Sequence, residues 1–515
     1  MKLKDFLLAA LSGFLLILAF PKFNVEVLAW VALVPWLWSI RKKSPCQAAL
    51  LGFITGLVFF TGILYWVYVV LTEYGHLSAP VSVFLLIVLT AYLALYFSTF
   101  SFLLRWVAGK IDLPETLFAP PLWVSLEYLR GILFSGFPWE LLGYSQYLTL
   151  SMVQISDITG VYGVSFIIVL ANASLYRLAL IGNERGWKPA LREVIAATMI
   201  MALTGIYGQW RLMELEKKIK KQMPHPIALI QGNIRQDVKW EPHFQEETLK
   251  IYTDLTLLAK PHRSDLIIWP ETATPFFFQS AYPFQPRILE LAHRMAAPLL
   301  FGAPAFERDG PRINYFNSAF LISPEKKVLG RYDKIHLVPF GEYAPLSGLL
   351  GFTRDIIGAI GDFTPGEGTH NLALPWGKFG VLICYEAIFP DLTRQFVERG
   401  AQFLVNITND AWFGRTAAPY QHLSMATLRA VENHVPIARA ANTGISAVID
   451  SSGRVISSTG LFTSEILSDK IYLNKSRTFY TEYGDLFSYS CVGVTVLFLI
   501  LIRRKRGYCV ERSSR

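Results

Sequence analysis

A cysteine and a carboxylate each stand where an apolar run gives way to polar residues, and a lysine stands at a third segment that reads as a strand end. Cys384 closes the run Gly380-Val381-Leu382-Ile383 and precedes Tyr385-Glu386. Glu271 follows Leu266-Ile267-Ile268-Trp269-Pro270. Lys334 follows Arg331-Tyr332-Asp333, with Glu342 further along the same segment. A free thiol has a pKa of about 8.5 and is mostly protonated at neutral pH. A carboxylate can take that proton and a cation can stabilise the anion, so the three side chains are the parts of a thiol acyl-transfer site. Singly each is weak evidence: a Glu or Lys after a strand is usually a surface or capping residue, and a lone cysteine is usually a small core hydrophobe. Cys384 is the only cysteine between residues 226 and 474; Cys46, Cys491 and Cys509 lie in or beside apolar runs elsewhere. In an oxidising compartment a thiol with no partner in its own domain is a candidate reactive group.

The elements that position these residues are short. Strands are expected at Ile227–Gln231, Leu266–Trp269, Leu299–Phe301, Ala319–Ile322, Val381–Tyr385, Phe403–Ile407 and Ser446–Ile449. Helix-like stretches, Phe244–Leu258, Gln285–Met295 and Ser424–Asn433, lie between several of them. This alternation predicts a layered α/β domain over 226–474, and strand ends are where such folds collect their sites.

The rest of the chain is of a different kind. Of 515 residues 52% are hydrophobic and only 17% charged, which excludes a disordered chain. Apolar runs at Phe6–Phe20, Val25–Ile40, Ala48–Leu71, Val81–Leu104, Thr116–Phe134, Val161–Leu180, Val194–Trp210 and Leu486–Ile502 predict eight membrane spans. The domains are then 1–210, largely transmembrane; 226–474, catalytic; 486–502, a last span; and 503–515, a basic tail. With the N-terminus inside, the inner segments hold 17 Lys and Arg, and the short outer loops only Lys22 and Arg130. The positive-inside rule therefore puts both termini in the cytoplasm and 211–485 on the far side. The net charge of +9 is accounted for by this distribution, so no nucleic-acid partner is inferred. Lys217, Lys218, Lys220 and Lys221 break the pattern and are read either as a contact to anionic headgroups or as a solvated helix face. Glu127 and Arg130, at membrane depth, are read either as functional charges or as a mutual pair.

With Trp269-Pro270-Glu271, Tyr332-Asp333-Lys334 and Cys384-Tyr385-Glu386 in that order, the outer domain resembles the carbon–nitrogen hydrolase (nitrilase) superfamily. The segments Gln231-Gly232-Asn233, Asn409-Asp410-Ala411-Trp412-Phe413 and Arg439-Ala440-Ala441-Asn442-Thr443-Gly444 are similar to that family too. The whole chain resembles the apolipoprotein N-acyltransferase family. The resemblance implies an eight-span helical domain carrying a periplasmic α-β-β-α sandwich in the inner membrane. It implies Cys384 as nucleophile, Glu271 as general base and Lys334 as stabiliser of thiolate and oxyanion. A phospholipid would be the acyl donor and a diacylglyceryl apolipoprotein the acceptor. Glu342, Tyr385, Glu386 and Asn317 would support the triad. Trp240 and Trp412 are either lid residues or ordinary packing; Arg439 and Asn442 are taken as site-wall residues, and His336 as an interior or loop histidine.

Water must be kept from the intermediate, and two apolar segments are suited to excluding it. One is Pro275–Phe278, with Phe277 and Phe278 as a lipid-facing gate, and the other is Leu346–Gly361. The apolar stretch Ser135–Gly160 is expected along the membrane interface. No metal-ligand spacing and no nucleotide loop occurs, and no cofactor is expected. A membrane-anchored amidase using water as acceptor is the main competing reading. A degenerate scaffold and a transporter are further ones.

Overall fold

The computed structural model describes residues 1–110, 114–180, 187–260, 263–343 and 363–513. The chain divides into two units. One comprises residues 1–68, 79–213 and 483–515, and the other residues 69–78 and 214–482.

The first unit is helical. Among the described residues four helices are long and apolar enough to cross a membrane: Pro45–Ile63, Ala79–Ala108, Val161–Ala179 and Ala190–Ile219. This corrects the expectation of eight. The first apolar run forms Leu3–Ala19, only 17 residues, or about 25 Å at 1.5 Å per residue, against a hydrocarbon core of about 30 Å. The second breaks into a 3-10 turn, Glu26–Trp30, and a seven-residue helix, Val34–Ile40. Helix Glu115–Ile132 carries Glu115, Glu127 and Arg130 and an internal proline pair, Pro120-Pro121. The apolar part of the last helix, Leu486–Ile502, is again short.

Small residues let these helices approach. A Cβ on Gly52 would lie 2.5 Å from the Phe97 carbonyl oxygen, so only glycine fits there. Glu127 and Arg130 are buried and both serve the turn at 140–142: Glu127 Oε1 accepts from the Leu142 amide (2.7 Å), and Arg130 Nη2 donates to the Glu140 carbonyl (3.4 Å). The stretch from Ser135 to Gly160 folds into this unit as short turns, with Trp139 and Tyr144 fully buried.

Among the described residues the second unit contains twelve strands: β1 (Pro224–Gln231), β2 (Leu266–Ile268), β3 (Leu299–Asp309), β4 (Arg312–Ile322), β5 (Val328–Asp333), β6 (Leu372–Leu374), β7 (Gly377–Ile383), β8 (Phe403–Thr408), β9 (Ile437–Ala441), β10 (Ala447–Ile449), β11 (Val455–Ser458) and β12 (Glu465–Tyr472). They form two six-stranded sheets, ordered β12-β1-β2-β3-β4-β5 and β11-β10-β9-β8-β7-β6. Each sheet has three parallel strands at its heart, β1-β2-β3 and β9-β8-β7, flanked by antiparallel ones.

Side-chain alternation explains the layering. On β1, Ile227 and Leu229 join Val381, Ile383, Val405 and Ile407 in the core between the sheets. Ala228 and Ile230 face the other way, into a second core with Leu249 and Tyr252 of helix Gln245–Leu258 and Ile288 and Leu291 of helix Phe284–Met295. Helices Pro390–Glu398 and Ala418–Asn433 supply Phe396, Ala426 and Ala430 to the first core. The two sheets and their helices form the nitrilase-type sandwich.

Candidate active site

Glu271 lies just beyond β2, and Cys384 starts a 3-10 turn, Cys384–Ile388, that ends β7. The strand expected to reach Tyr385 thus stops one residue before the thiol. Cys384 has φ +52° and Thr272, beside Glu271, φ +46°. Both are non-glycine residues in the left-handed region, the sort of backbone strain that gathers at functional sites.

Lys334 follows β5 and is 1% exposed. Its Nζ pairs with Glu342 at 2.8 Å and with Glu271 Oε1 at 3.6 Å. Asn317, on β4, ties the two carboxylates together: Nδ2 donates to Glu271 Oε1 (2.8 Å) and to Glu342 Oε1 (2.7 Å). The Lys334 amide in turn donates to the Asn317 carbonyl (2.9 Å). Glu342 Oε2 accepts from the Val338 amide (2.8 Å). The other oxygen of Glu271, Oε2, accepts from the Asn409 amide just past β8, in the opposite sheet (2.8 Å). Glu271 is therefore clamped between donors from both sheets.

Charge follows this geometry. Burial works against the Lys334 cation, yet Glu342 and Glu271 outweigh it and hold its pKa above that of an ordinary lysine. Burial pushes the Cys384 thiol well up, Glu271 pushes it further, and Lys334 acts in the opposite sense. Burial and Glu271 thus favour the thiol over the thiolate, and Asp410 acts in the same sense as Glu271.

Glu386 holds the turn after the cysteine. Its Oε1 accepts from Tyr332 Oη (2.9 Å) and the amides of Ile335 (2.7 Å) and His336 (3.2 Å), and its Oε2 from the Ile383 amide (2.7 Å). One carboxylate thus fixes both the segment after Lys334 and the strand end before Cys384. The Tyr385 ring packs against His336 and Phe389. His336 also stacks closely on Phe389 and makes an aromatic wall.

Arg439 and Asn442 hold the site from behind. Arg439 donates to Asp410 Oδ2 (2.7 Å) and to Asn406, and Asp410 also accepts from Thr408 Oγ1 (2.8 Å). His422 Nδ1 faces Asp410 Oδ1 (3.1 Å), and its Nε2 donates to the Cys384 carbonyl (3.0 Å). Asn442 brackets Ile234, accepting from its amide (2.8 Å) and donating to its carbonyl (2.7 Å), and donates to Asn409 Oδ1 (3.0 Å). Residue patterns alone assign no part to His422 and Asp410. Their only signal is position, Asp410 inside the Asn409–Phe413 motif and His422 on a helix with no motif.

Lys239 is equally silent in the sequence, an ordinary residue before Trp240. It is wholly buried, and its Nζ donates to Thr272 Oγ1 (2.6 Å) and the Glu271 carbonyl (3.3 Å). Burial lowers its pKa to about 7, with Glu271 and Cys384 acting in the opposite sense.

The apolar candidates separate. Phe278 is 1% exposed and packs on Phe301 and Phe320 (ring centroids 4.9 and 5.3 Å), so it belongs to the core and not to a gate. Phe277 is half-buried beside Phe306 and Tyr315. Trp240 is half-buried. Trp412 is 40% exposed, with Tyr74 edge-on at 5.5 Å. The Leu346–Gly361 segment lies outside the described residues. Lys218 and Lys220, expected at headgroups or on a solvated face, pair with Glu214 and Glu216 along their own helix, which halves the charge of that cluster.

Residues 12–174 match the apolipoprotein N-acyltransferase N-terminal domain, and residues 226–480 match carbon-nitrogen hydrolase. The apolipoprotein N-acyltransferase of Geobacter metallireducens is 47% identical over 98% of this chain and 96% of its own. That of Pasteurella multocida is 31% identical over 98% and 97%, and that of Methylococcus capsulatus 35% identical over 98% and 97%. An amidase from Nesterenkonia sp. is similar in structure at 21% identity, over 52% of this chain and 92% of its own, with a TM-score of 0.37. By the full-length match to these acyltransferases, the chain belongs to the apolipoprotein N-acyltransferase family.

Proposed function

We propose that the protein moves an acyl chain from a membrane phospholipid to the N-terminal α-amine of a diacylglyceryl-cysteine apolipoprotein, through a thioester on Cys384. The observation that carries this reading is the placement of Glu271. Its carboxylate is fixed by Asn317 and by the Asn409 amide, is paired with Lys334, and is close enough to Cys384 to perturb the thiol.

In the first half, Glu271 takes the thiol proton as Sγ attacks the ester carbonyl. The carbonyl oxygen becomes an oxyanion, stabilised by Lys334; one such donor is typically worth about 2.7–4 kcal/mol. The C–O bond breaks, the lysophospholipid leaves with the proton from Glu271, and the thioester remains. In the second half the neutral α-amine attacks the thioester and Glu271 accepts an N–H proton. The C–S bond breaks, the amide is released and the proton returns to sulfur. Two acyl transfers through one nucleophile give ping-pong kinetics. Glu342 keeps Lys334 charged, and Glu386 keeps the nucleophile's turn in place.

The Lys and Arg distribution supports placing this unit in the periplasm, with both termini cytoplasmic and the helical unit in the inner membrane. Of the apolar candidates read from the sequence, Trp412 is exposed and Phe277 half-buried, which leaves both able to meet lipid. The test is transfer to a diacylglyceryl-cysteine lipopeptide in phospholipid micelles. One N-acyl group per peptide and an equal yield of lysophospholipid are expected. Free fatty acid without acylated peptide would favour the amidase-like reading, with water as acceptor.

A further inference from the structure

A wholly buried lysine needs acceptors, and those of Lys239 are unusual. Among the described residues it makes no ion pair. Both acceptors of its Nζ, the Glu271 carbonyl and Thr272 Oγ1, belong to one dipeptide. That dipeptide carries the carboxylate at the centre of the site, and its second residue, β-branched Thr272, has φ +46°. A β-branched residue there is a real outlier and persists only where its surroundings hold it. On the other side β3 presses against the same backbone: a Cβ on Gly302 would lie 2.5 Å from the Thr272 nitrogen and 2.6 Å from the Glu271 Cα. The Gly302 amide donates to the Pro270 carbonyl (3.1 Å), and the Thr274 amide donates to the Gly302 carbonyl (3.2 Å).

The segment bearing Lys239 is itself anchored. Asn442 brackets Ile234, and Gln236 Oε1 accepts from Asn409 Nδ2 (2.6 Å). Asn409 is also the residue whose amide meets Glu271 Oε2. The lysine and the second clamp on the carboxylate thus share one support.

We propose that Lys239 is a positioning residue of the acyl-transfer centre, its buried amino group holding the Glu271–Thr272 peptide in the conformation that delivers the carboxylate to Asn317 and Asn409. This rests on the acyl-transfer reading above. It makes Lys239 distinct from Lys334: Lys334 pairs with the carboxylates, and Lys239 holds the backbone behind one of them. A residue acting through Glu271 should matter only while Glu271 can act, because effects of groups that work as a unit are not additive.

The experiment is a cycle in the full-length enzyme in phospholipid micelles: wild type, K239M, E271Q and K239M/E271Q. Lysophospholipid release is followed in a single turnover across phospholipid concentrations, and the thermal midpoint is recorded for each. The expected result is that K239M slows acylation by about 10²-fold, as a misplacement of about 1 Å does, with half-saturation changed less than about threefold. In the E271Q background the same substitution changes the rate less than about twofold. T272A removes one acceptor and leaves the lysine buried. It covers the case in which K239M does not fold, and it predicts a smaller loss that E271Q likewise masks. A K239M rate within about twofold of wild type overturns the proposal. So does a loss of equal factor in both backgrounds, or a raised half-saturation with an unchanged maximal rate. A wild-type enzyme that releases no lysophospholipid overturns the acyl-transfer reading instead.

Discussion

The exit of β2 and the exit of β7 are matched in geometry. Each leaves a strand of the parallel trio in its sheet, β2 from the middle of that trio and β7 from its end beside the edge strand β6, and each carries a non-glycine residue at positive φ, Thr272 at +46° and Cys384 at +52°. Strain of this kind costs about 1–3 kcal/mol per residue. The means of holding it differ. At the β2 exit the backbone is gripped by the buried Lys239 side chain, and the carboxylate by Asn317, Asn409 and Lys334. At the β7 exit the Cys384 carbonyl is gripped by His422, and the strand end by Glu386 through the Ile383 amide. In the proposed reaction the base must keep one orientation while its proton comes and goes, and it sits among charges. The nucleophile must shift between thiol, thiolate and thioester, and its sulfur feels burial, Glu271, Lys334 and Asp410 and a hydrogen bond with Thr408.

The largest break in this comparison is chemical. Glu271→Gln keeps the shape at the β2 exit and removes the base, so the single-turnover acylation rate should fall by about 10²–10⁴-fold. The thermal midpoint should fall somewhat, because the Gln amide nitrogen must face one of the two donors that clamp the carboxylate, and alkylation of Cys384 by a small reagent should slow as well. An acylation rate within tenfold of wild type would assign the base elsewhere.

A smaller break is structural and lies behind the β7 exit. Burial raises the Asp410 carboxyl, but Arg439 and His422 outweigh it and hold it at about 2, against about 3.9 in an unfolded chain. A depressed carboxyl contributes stability that is complete above about pH 4–5 and is lost as pH falls through 2. Asp410→Asn leaves Arg439 without its buried partner and should cost about 3–5 kcal/mol. Thermal midpoints followed from pH 7 to pH 2.5 should show the wild-type advantage shrinking in acid. An unchanged gap would contradict the assignment.

The mildest test separates two adjacent aromatics. Phe278→Ala should cost about 3–5 kcal/mol of stability, and Phe277→Ala roughly half that or less, because only the first is in the core. Equal losses in a denaturation series would mean that Phe277 is also core, which would remove it from any lipid-facing role.

The parts of the candidate site carried by motifs were legible in the sequence: Glu271 and Cys384 each follow an apolar run, and Lys334 stands in the Tyr332-Asp333-Lys334 motif. Asn317 and Glu342, expected as supports, share one hydrogen-bonded set with Lys334, and Glu386 holds the turns after Lys334 and before Cys384. Lys239 and His422 were not legible. Their partners are a main-chain carbonyl and a hydroxyl in one case and a cysteine carbonyl in the other, and no residue pattern encodes such contacts. The expected strand set also omits β5, β6, β9, β11 and β12; β6 is only three residues long, and β9, though fully buried, carries Arg439 at its centre. β5, β11 and β12 have mixed exposure rather than a continuous apolar run, and β12 pairs with β1 from far along the chain. The eight-span count failed where apolar composition outran helix length, as at Val25–Ile40, which turns twice within one run.

The central claim is a covalent acyl chain on Cys384, and the direct measurement is intact-protein mass after incubation with phospholipid alone. One acyl-sized adduct is expected in wild type, released by hydroxylamine, absent from Cys384→Ala, and matched by lysophospholipid of equal amount. Phospholipid consumed by wild type with no adduct, or an adduct that persists in Cys384→Ala, would contradict it.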